Sequence, residues 1–113
     1  MTGCPFCLIA ARKIPAKIVY EDNDLIAFKD INPKAPVHLL IIPKKHVPTV
    51  NDLKKSDTEL IGRMIYQAKL LASQFKIAAG GYKLIINSGR GAGQIVDHLH
   101  LHVLGGKDLK ALT

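Results

Sequence analysis

Three of the chain's five histidines fall in one short run, Asp97-His98-Leu99-His100-Leu101-His102. In an extended strand successive side chains alternate faces. His98, His100 and His102 would therefore share one face, and Leu99, Leu101 and Val103 the other. Neighbouring imidazoles would then stand about 6 to 7 Å apart, twice the strand rise. Such a column supports two chemistries. Histidines on a strand can hold a catalytic metal, as three-histidine zinc sites do. Alternatively, one imidazole attacks an electrophile while a neighbour assists. That task suits a side chain that is largely neutral, hence nucleophilic, at pH 7. Lys, Thr or Glu would serve a solvent-facing strand equally well, so chance is a poor account of three histidines.

The residues before the column favour attack on phosphorus. Asn87-Ser88-Gly89-Arg90-Gly91-Ala92-Gly93-Gln94 is glycine-rich, and Gly89, Gly91 and Gly93 let backbone N–H groups approach an anion. A strand follows it rather than a helix, so it is neither a dinucleotide fingerprint nor a P-loop. Near the other end, Cys4-Pro5-Phe6-Cys7 has the spacing of a redox pair or of half a zinc site. A thioredoxin-like pair needs a strand in front of it, and three residues precede Cys4. A zinc half-site needs two histidines to complete it. Two free thiols, ordinary in a reducing cytosol, are the third possibility.

Six elements must position these groups. Ile18 to Glu21 and Leu25 to Lys29 read as strands around an Asp22–Asp24 turn. Pro33 and Pro36 make Ile31–Pro36 a loop. Val37–Pro43 is a mostly buried strand stopped by Pro43. Ser56 with Glu59 spells a capping box. Leu60, Ile61, Met64, Ile65, Ala68, Leu71, Ala72 and Phe75 then recur as one helical stripe, ended by Gly80 and Gly81. Tyr82 to Ser88 and His98 to Leu104 are the last strands. With a short N-terminal helix, the order predicts an α+β fold on a mainly antiparallel five-stranded sheet.

The bulk numbers agree with one domain over residues 1–113, 48% of them apolar. No apolar run approaches the roughly 20 residues of a membrane helix. No basic leader precedes an apolar stretch, so the expected location is cytoplasmic. The formal charge is +7, but aromatics are 5% and Trp is absent. Stacking platforms for single-stranded nucleic acid need aromatics, so a small anionic substrate suits the charge better.

The run His98-Leu99-His100-Leu101-His102-Val103-Leu104 matches the His-φ-His-φ-His-φ-φ signature, with φ apolar, of the histidine triad (HIT) superfamily. With IPAKIVYEDND, AFKDINPKAPVHLLIIPKKHV and INSGRGAGQ it resembles the Hint branch, the purine nucleoside phosphoramidases. The resemblance implies that His100 attacks the α-phosphorus and forms a nucleotidyl-histidine intermediate. It gives His102 the phosphate oxygens and the departing group, and sets His38 beside the nucleophile. Asn87 and the backbone of Gly93 and Gln94 would contact phosphate, and Asp30 with Ile31 the ribose. A carboxylate can accept from both ribose hydroxyls. The same resemblance implies a homodimer that pairs long helices and joins sheets. It implies no catalytic metal, but a structural zinc on Cys4, Cys7, His46 and His98, as several members carry.

Departures from the pattern bear on detail. Ile95 stands where Hint relatives often have Ser, which affects handling of the leaving amine. His102, rather than Gln, argues against the nucleotidyltransferase branch. The tail lacks the Trp of animal relatives. A dinucleoside polyphosphate hydrolase and a nucleotide-binding regulatory protein with little turnover are the alternatives. A metallohydrolase using the column directly has no further carboxylate or histidine obviously placed to complete an open site.

Overall fold

The computed structural model describes residues 3–110. A short helix, α1 (Pro5–Ala10), leads into strands β1 (Ile18–Glu21), β2 (Leu25–Lys29) and β3 (Val37–Pro43). A long helix, α2 (Thr58–Gln74), then precedes β4 (Tyr82–Ile85) and β5 (Leu101–Gly105). The strands form one sheet in the order β1-β2-β3-β5-β4, with every neighbouring pair antiparallel. This is the expected α+β architecture.

The central strands are covered on both faces, which is why Val37–Pro43 reads as an almost continuous apolar run rather than an alternation. On one face Leu39, Ile41, Leu101 and Val103 pack with Met64, Ala68, Leu71 and Ala72 of α2. On the other, Ile26, Phe28, Leu40 and Ile42 pack with Cys4, Phe6 and Ile9. Six residues are too few for a helix to hold itself, so α1 exists through that burial. Pro5 opens it, and the Cys4 Sγ caps it by accepting from the Cys7 N–H at 3.3 Å. Between β1 and β2, the Asp22 carboxylate accepts from the N–H groups of Asp24 and Leu25, both at 2.8 Å. Arg63 of α2 pairs with Asp22 and Asp24 and ties that turn to the helix.

Several boundaries differ from the sequence reading, and β4 stops at Ile85 instead of running to Ser88, because its ladder with β5 ends at the Ile85–His102 pair. Ser56 and Glu59 form no capping box. A 3-10 turn, Lys55–Asp57, precedes α2, and the buried Asp57 carboxylate takes the Lys54 N–H at 2.9 Å and the Lys45 ammonium at 2.6 Å. A buried carboxylate must find such donors, and charge-assisted bonds outcompete a hydroxyl. Helix α2 ends at Gln74, well before the glycines. Lys76 turns left-handed at φ 61°, and the Ile77 N–H returns to the Ala72 carbonyl at 2.9 Å, which folds Ile77 into the core. The ladder of β5 starts only at Leu101. The His98 N–H bonds Val96 and the Leu99 N–H bonds Val47, at 2.8 and 2.7 Å, instead of a neighbouring strand.

The end of β5 has no room for a side chain. A Cβ on Gly105 would meet Ile77 Cδ1 at 2.7 Å and Ile77 Cβ at 2.9 Å. Gly105→Ala is expected to destabilise the fold by about 1–3 kcal/mol, read from urea denaturation. The cost should shrink in an Ile77→Ala background, where the clash is relieved.

Candidate active site

Strand register brings the reactive face together. His38 of β3 lies opposite Leu104, and Leu40 lies opposite His102 of β5, so the two histidines are diagonal neighbours on the face away from α2. Their rings meet with His38 Nε2 2.9 Å from His102 Nδ1. His100, just before the ladder, has its ring centroid 4.9 Å from that of His102. The rings thus lean closer than the strand rise alone gives.

Backbone partners assign a tautomer to each ring. The Lys34 N–H donates to His38 Nδ1 at 3.0 Å, so neutral His38 carries its proton on Nε2. That proton goes to His102 Nδ1, with Asp30 Oδ2 3.3 Å from the same nitrogen. His102 must then carry its own proton on Nε2, and this buried N–H has no partner among the described residues. His100 donates from Nδ1 to the His98 carbonyl at 2.7 Å, which leaves Nε2 a bare lone pair. His98 donates from Nε2 to the Pro43 carbonyl at 2.7 Å, which leaves its Nδ1 bare.

Charge reinforces these assignments. Burial, then the facing His100 and His38, pushes His102 down to about 4, against a smaller opposing pull from Asp30. Burial lowers His38, with Asp30 resisting, and burial lowers His98 against the pull of the Pro43 carbonyl. These three rings are neutral at pH 7.

The remaining expected residues surround this cluster. Asp30 uses its other oxygen to accept the Asn32 N–H at 2.8 Å, and Ile31 beside it is 89% exposed. Asp30, Ile31, Pro33 and His38 line a groove of about 670 Å³. Asn87 follows β4 and is half-buried. In the glycine-rich loop, Gly89 and Gly93 need positive φ, at 90° and 91°, whereas Gly91 does not. The N–H groups of Gly93 and Gln94 donate within the loop, to Arg90 and Gly89 carbonyls at 3.0 and 3.1 Å. The Gln94 side chain is buried. Its amide joins the Gly89 N–H, the Pro48 carbonyl and the Val96 carbonyl, so it holds the loop's shape. Ile95 is 80% exposed.

A second cluster stands next to the first. The ligand atoms of Cys4, Cys7, His46 and His98 all lie within 4.8 Å of one another. Cys4 Sγ is 3.3 Å and Cys7 Sγ 3.5 Å from His98 Nδ1, and Cys7 Sγ is 3.2 Å from His46 Nδ1. A tetrahedral cation with bonds of about 2.3 Å to sulfur and 2.0–2.1 Å to nitrogen puts its ligands about 3.5 Å apart, so the group fits. The His98 tautomer supports the fit, since its ligating nitrogen is free and its other nitrogen is anchored to a carbonyl, the usual outer partner of a metal-bound histidine. Burial, then the Cys4 thiol beside it, pushes the Cys7 thiol up, and a bound cation would reverse that by stabilising the thiolate.

Two features escaped the sequence reading. The carbonyls of Pro43 and His98 carry no residue-type signal, because any residue supplies a carbonyl. Phe6 sits inside the cysteine spacing that was noticed, and its ring lies edge-on to both His98 and His100.

Residues 11–109 match the HIT domain family. The chain is 49% identical over 104 residues to the purine nucleoside phosphoramidase of Escherichia coli K12, covering 92% of this chain and 87% of that one. A HIT family hydrolase from Legionella pneumophila superposes with a TM-score of 0.94 at 48% identity, over 96% of both chains. A histidine triad protein from Clostridium difficile gives 0.93 at 38% identity, over 96% of this chain and 95% of that one.

The depressed His102 has a consequence for stability. Between about pH 4 and its ordinary 6.5, the unfolded ring binds a proton that the folded ring does not. Stability is therefore complete above pH 6.5 and falls as pH drops toward 4. His38 and His98, also lowered, add to the same limb. Urea denaturation between pH 7 and 4 should show this decline, and His102→Gln should flatten it. Proton NMR should place the midpoint of the His102 ring near pH 4.

Proposed function

This chain belongs to the HIT domain family, and from that premise we propose that it is a hydrolase of purine nucleoside 5′-phosphoramidates. The bond broken is P–N, and His100 is the covalent relay. The observation that carries the reading is the pair of fixed tautomers. His100 presents a bare Nε2 and His102 presents an unpartnered Nε2–H, on rings 4.9 Å apart. One is a nucleophile and the other a donor for the oxygen of a phosphoryl group.

The reaction runs in two displacements. His100 Nε2 bonds to phosphorus as the P–N bond breaks, and the amine leaves with a proton taken from water. A second water then bonds to phosphorus as the N–P bond to His100 breaks, and the proton it sheds returns to the hydroxide left by the first water, releasing the nucleoside monophosphate. His102 Nε2–H stabilises the charge that builds on a phosphoryl oxygen. It acts as a hydrogen-bond donor rather than an acid, because loss of that proton would leave an imidazolate. Splitting one hard step into two easier ones is the gain of covalent catalysis. Asp30 serves the ribose hydroxyls with its accepting oxygens, with Ile31 beside it. Asn87 and the Gly93–Gln94 turn border the phosphate, sharing N–H groups now used inside the loop.

Cys4, Cys7, His46 and His98 hold one zinc. Four protein ligands close the site, so its contribution is structural: it ties the N-terminal turn to the segment after β3 and to the start of β5. No zinc is needed in the chemical steps. The protein acts in the cytoplasm as a single HIT domain and as a homodimer. In the dimer, α2 contributes its exposed Ile65, Tyr66 and Leu70.

Two experiments test these assignments. His100→Ala should lose about 10³-fold or more in kcat on adenosine phosphoramidate, while acid-quenched wild-type protein should yield a nucleotidyl adduct on His100. Near-normal turnover in the variant removes the assignment. The purified protein should contain about one zinc per chain. Cys4→Ser should lose it and melt at least about 5 °C lower. Full metal content in that variant, by elemental analysis, contradicts the zinc site.

A further inference from the structure

Phe6 takes no part in bond-making, yet its ring touches the two histidines on which the site turns. It is 8% exposed. Its centroid lies 5.1 Å from His100 at an interplanar angle of 86°, and 6.0 Å from His98 at 71°. A third edge contact, 5.4 Å at 69°, seats it against Phe28 of β2. We propose that Phe6 is a positioning residue for the His100 nucleophile, carried to its place by the Cys4–Cys7 turn. The proposal rests on the reading of His100 as the attacking group.

A single hydrogen bond cannot fix a ring. The His98 carbonyl holds His100 Nδ1, but the imidazole can still rock about that bond and swing Nε2 away from an in-line path. Among the described residues, the aromatic neighbours of the His100 ring are Phe6 and His102. Edge-to-face contact is the arrangement that ring quadrupoles favour, so Phe6 supplies a preferred orientation as well as bulk. Productive attack needs the reacting atoms about 3–3.5 Å apart and aligned, and a shift of about 1 Å can cost 10²-fold in rate.

The ring is itself anchored by groups outside the reactive cluster. Phe6 is the second residue of α1. The Cys4 Sγ that caps this helix lies 3.3 Å from His98 Nδ1. His98 therefore meets the turn with its ring and holds the nucleophile with its carbonyl. A rigid turn sets Phe6, and Phe6 with His98 sets His100. This is the kind of supporting shell that fixes a reactive group within about 0.5 Å.

The test uses zinc-reconstituted protein and three variants. Phe6→Leu keeps apolar bulk without a flat edge, Phe6→Met does the same with a longer side chain, and Phe6→Tyr keeps the ring. Phe6→Leu should lower kcat by about 10- to 100-fold with KM changed less than about 3-fold, at unchanged zinc content. Phe6→Tyr should restore kcat to within about 3-fold. The His100 imidazole should give one sharp set of proton–nitrogen NMR signals in the wild type and broadened or doubled signals in Phe6→Leu. If Phe6→Leu does not fold, Phe6→Met is read by the same criteria. The proposal is overturned if kcat stays within about 2-fold, if KM alone rises because the ring serves the nucleoside instead, or if the His100 signals do not change. Absence of a His100 adduct in the wild type would defeat the catalytic reading alone, and the imidazole signals would still decide whether Phe6 orients that ring.

Discussion

Main-chain hydrogen bonds decide what His38, His98 and His100 can do and, through His38, what His102 can do. A free histidine exchanges tautomers and offers either nitrogen. Here one nitrogen of each ring in the cluster is already committed. Pro43 and His98 supply carbonyls to His98 and His100, and Lys34 supplies an N–H to His38. The choice then passes along the His38–His102 contact to the last ring. Four chemically identical side chains are thereby told apart: His98 and His100 each keep a bare nitrogen, His102 keeps an N–H, and His38 links the backbone to His102. Carbonyl and N–H positions are set by strand register and by the turns around it. The chemistry therefore inherits the rigidity of the sheet and needs no adjustable side-chain network.

Burial makes that arrangement work. His98 and His100 sit in the layer formed by α1 and the sheet face it covers, and His38 is nearly as enclosed. Low dielectric strengthens each hydrogen bond and penalises a charged ring, so in His38, His98 and His102 the fixed tautomers are also the favoured protonation states. Asp30 pulls His38 and His102 toward protonation and the Pro43 carbonyl pulls His98, each less strongly than burial opposes it. The helix on the opposite face takes no part in the chemistry. It makes the strands rigid by covering Leu39, Ile41, Leu101 and Val103, which alternate with the reactive residues.

What the sequence revealed follows the same division. Alternation of His with Leu and Val separates a histidine face from a core face, and Leu101 and Val103 do lie in the core. The strand boundaries around β1, β2 and β3 followed from period and prolines, because those signals are local. The start of β5 was misread, since nothing in His98-Leu99-His100 says that Leu99 bonds Val47 rather than a strand. The residue at the N-cap of α2 is Asp57, yet its carboxylate turns to Lys54 and to a distant lysine, Lys45, instead of capping the helix. The Gln94 side chain is a brace that left no local signal, because its partner Pro48 lies 46 residues away in sequence. Residue types and spacing are legible, but the partner that selects among their uses is often a backbone atom far along the chain.

The same reasoning separates two clusters that otherwise look alike. Cys4, Cys7, His46 and His98 form one group of close donor atoms, and Asp30, His38 and His102 form another. By distance alone both could hold a cation. In the first, His98 Nδ1 is a bare lone pair beside two sulfurs, so a cation adds without displacing a proton from that ring. In the second, the nitrogens 2.9 Å apart already share a proton that His38 cannot move, because its other nitrogen accepts from Lys34. Metal entry there would have to expel that proton and strip His38 of its N–H, or break the Lys34 bond. The second cluster therefore keeps its proton and leaves the buried His102 Nε2–H without a partner among the described residues. A site for a soft cation and a site for a phosphoryl group can thus lie side by side on one run of alternating histidines. They are kept apart by which nitrogen of each ring the backbone has taken.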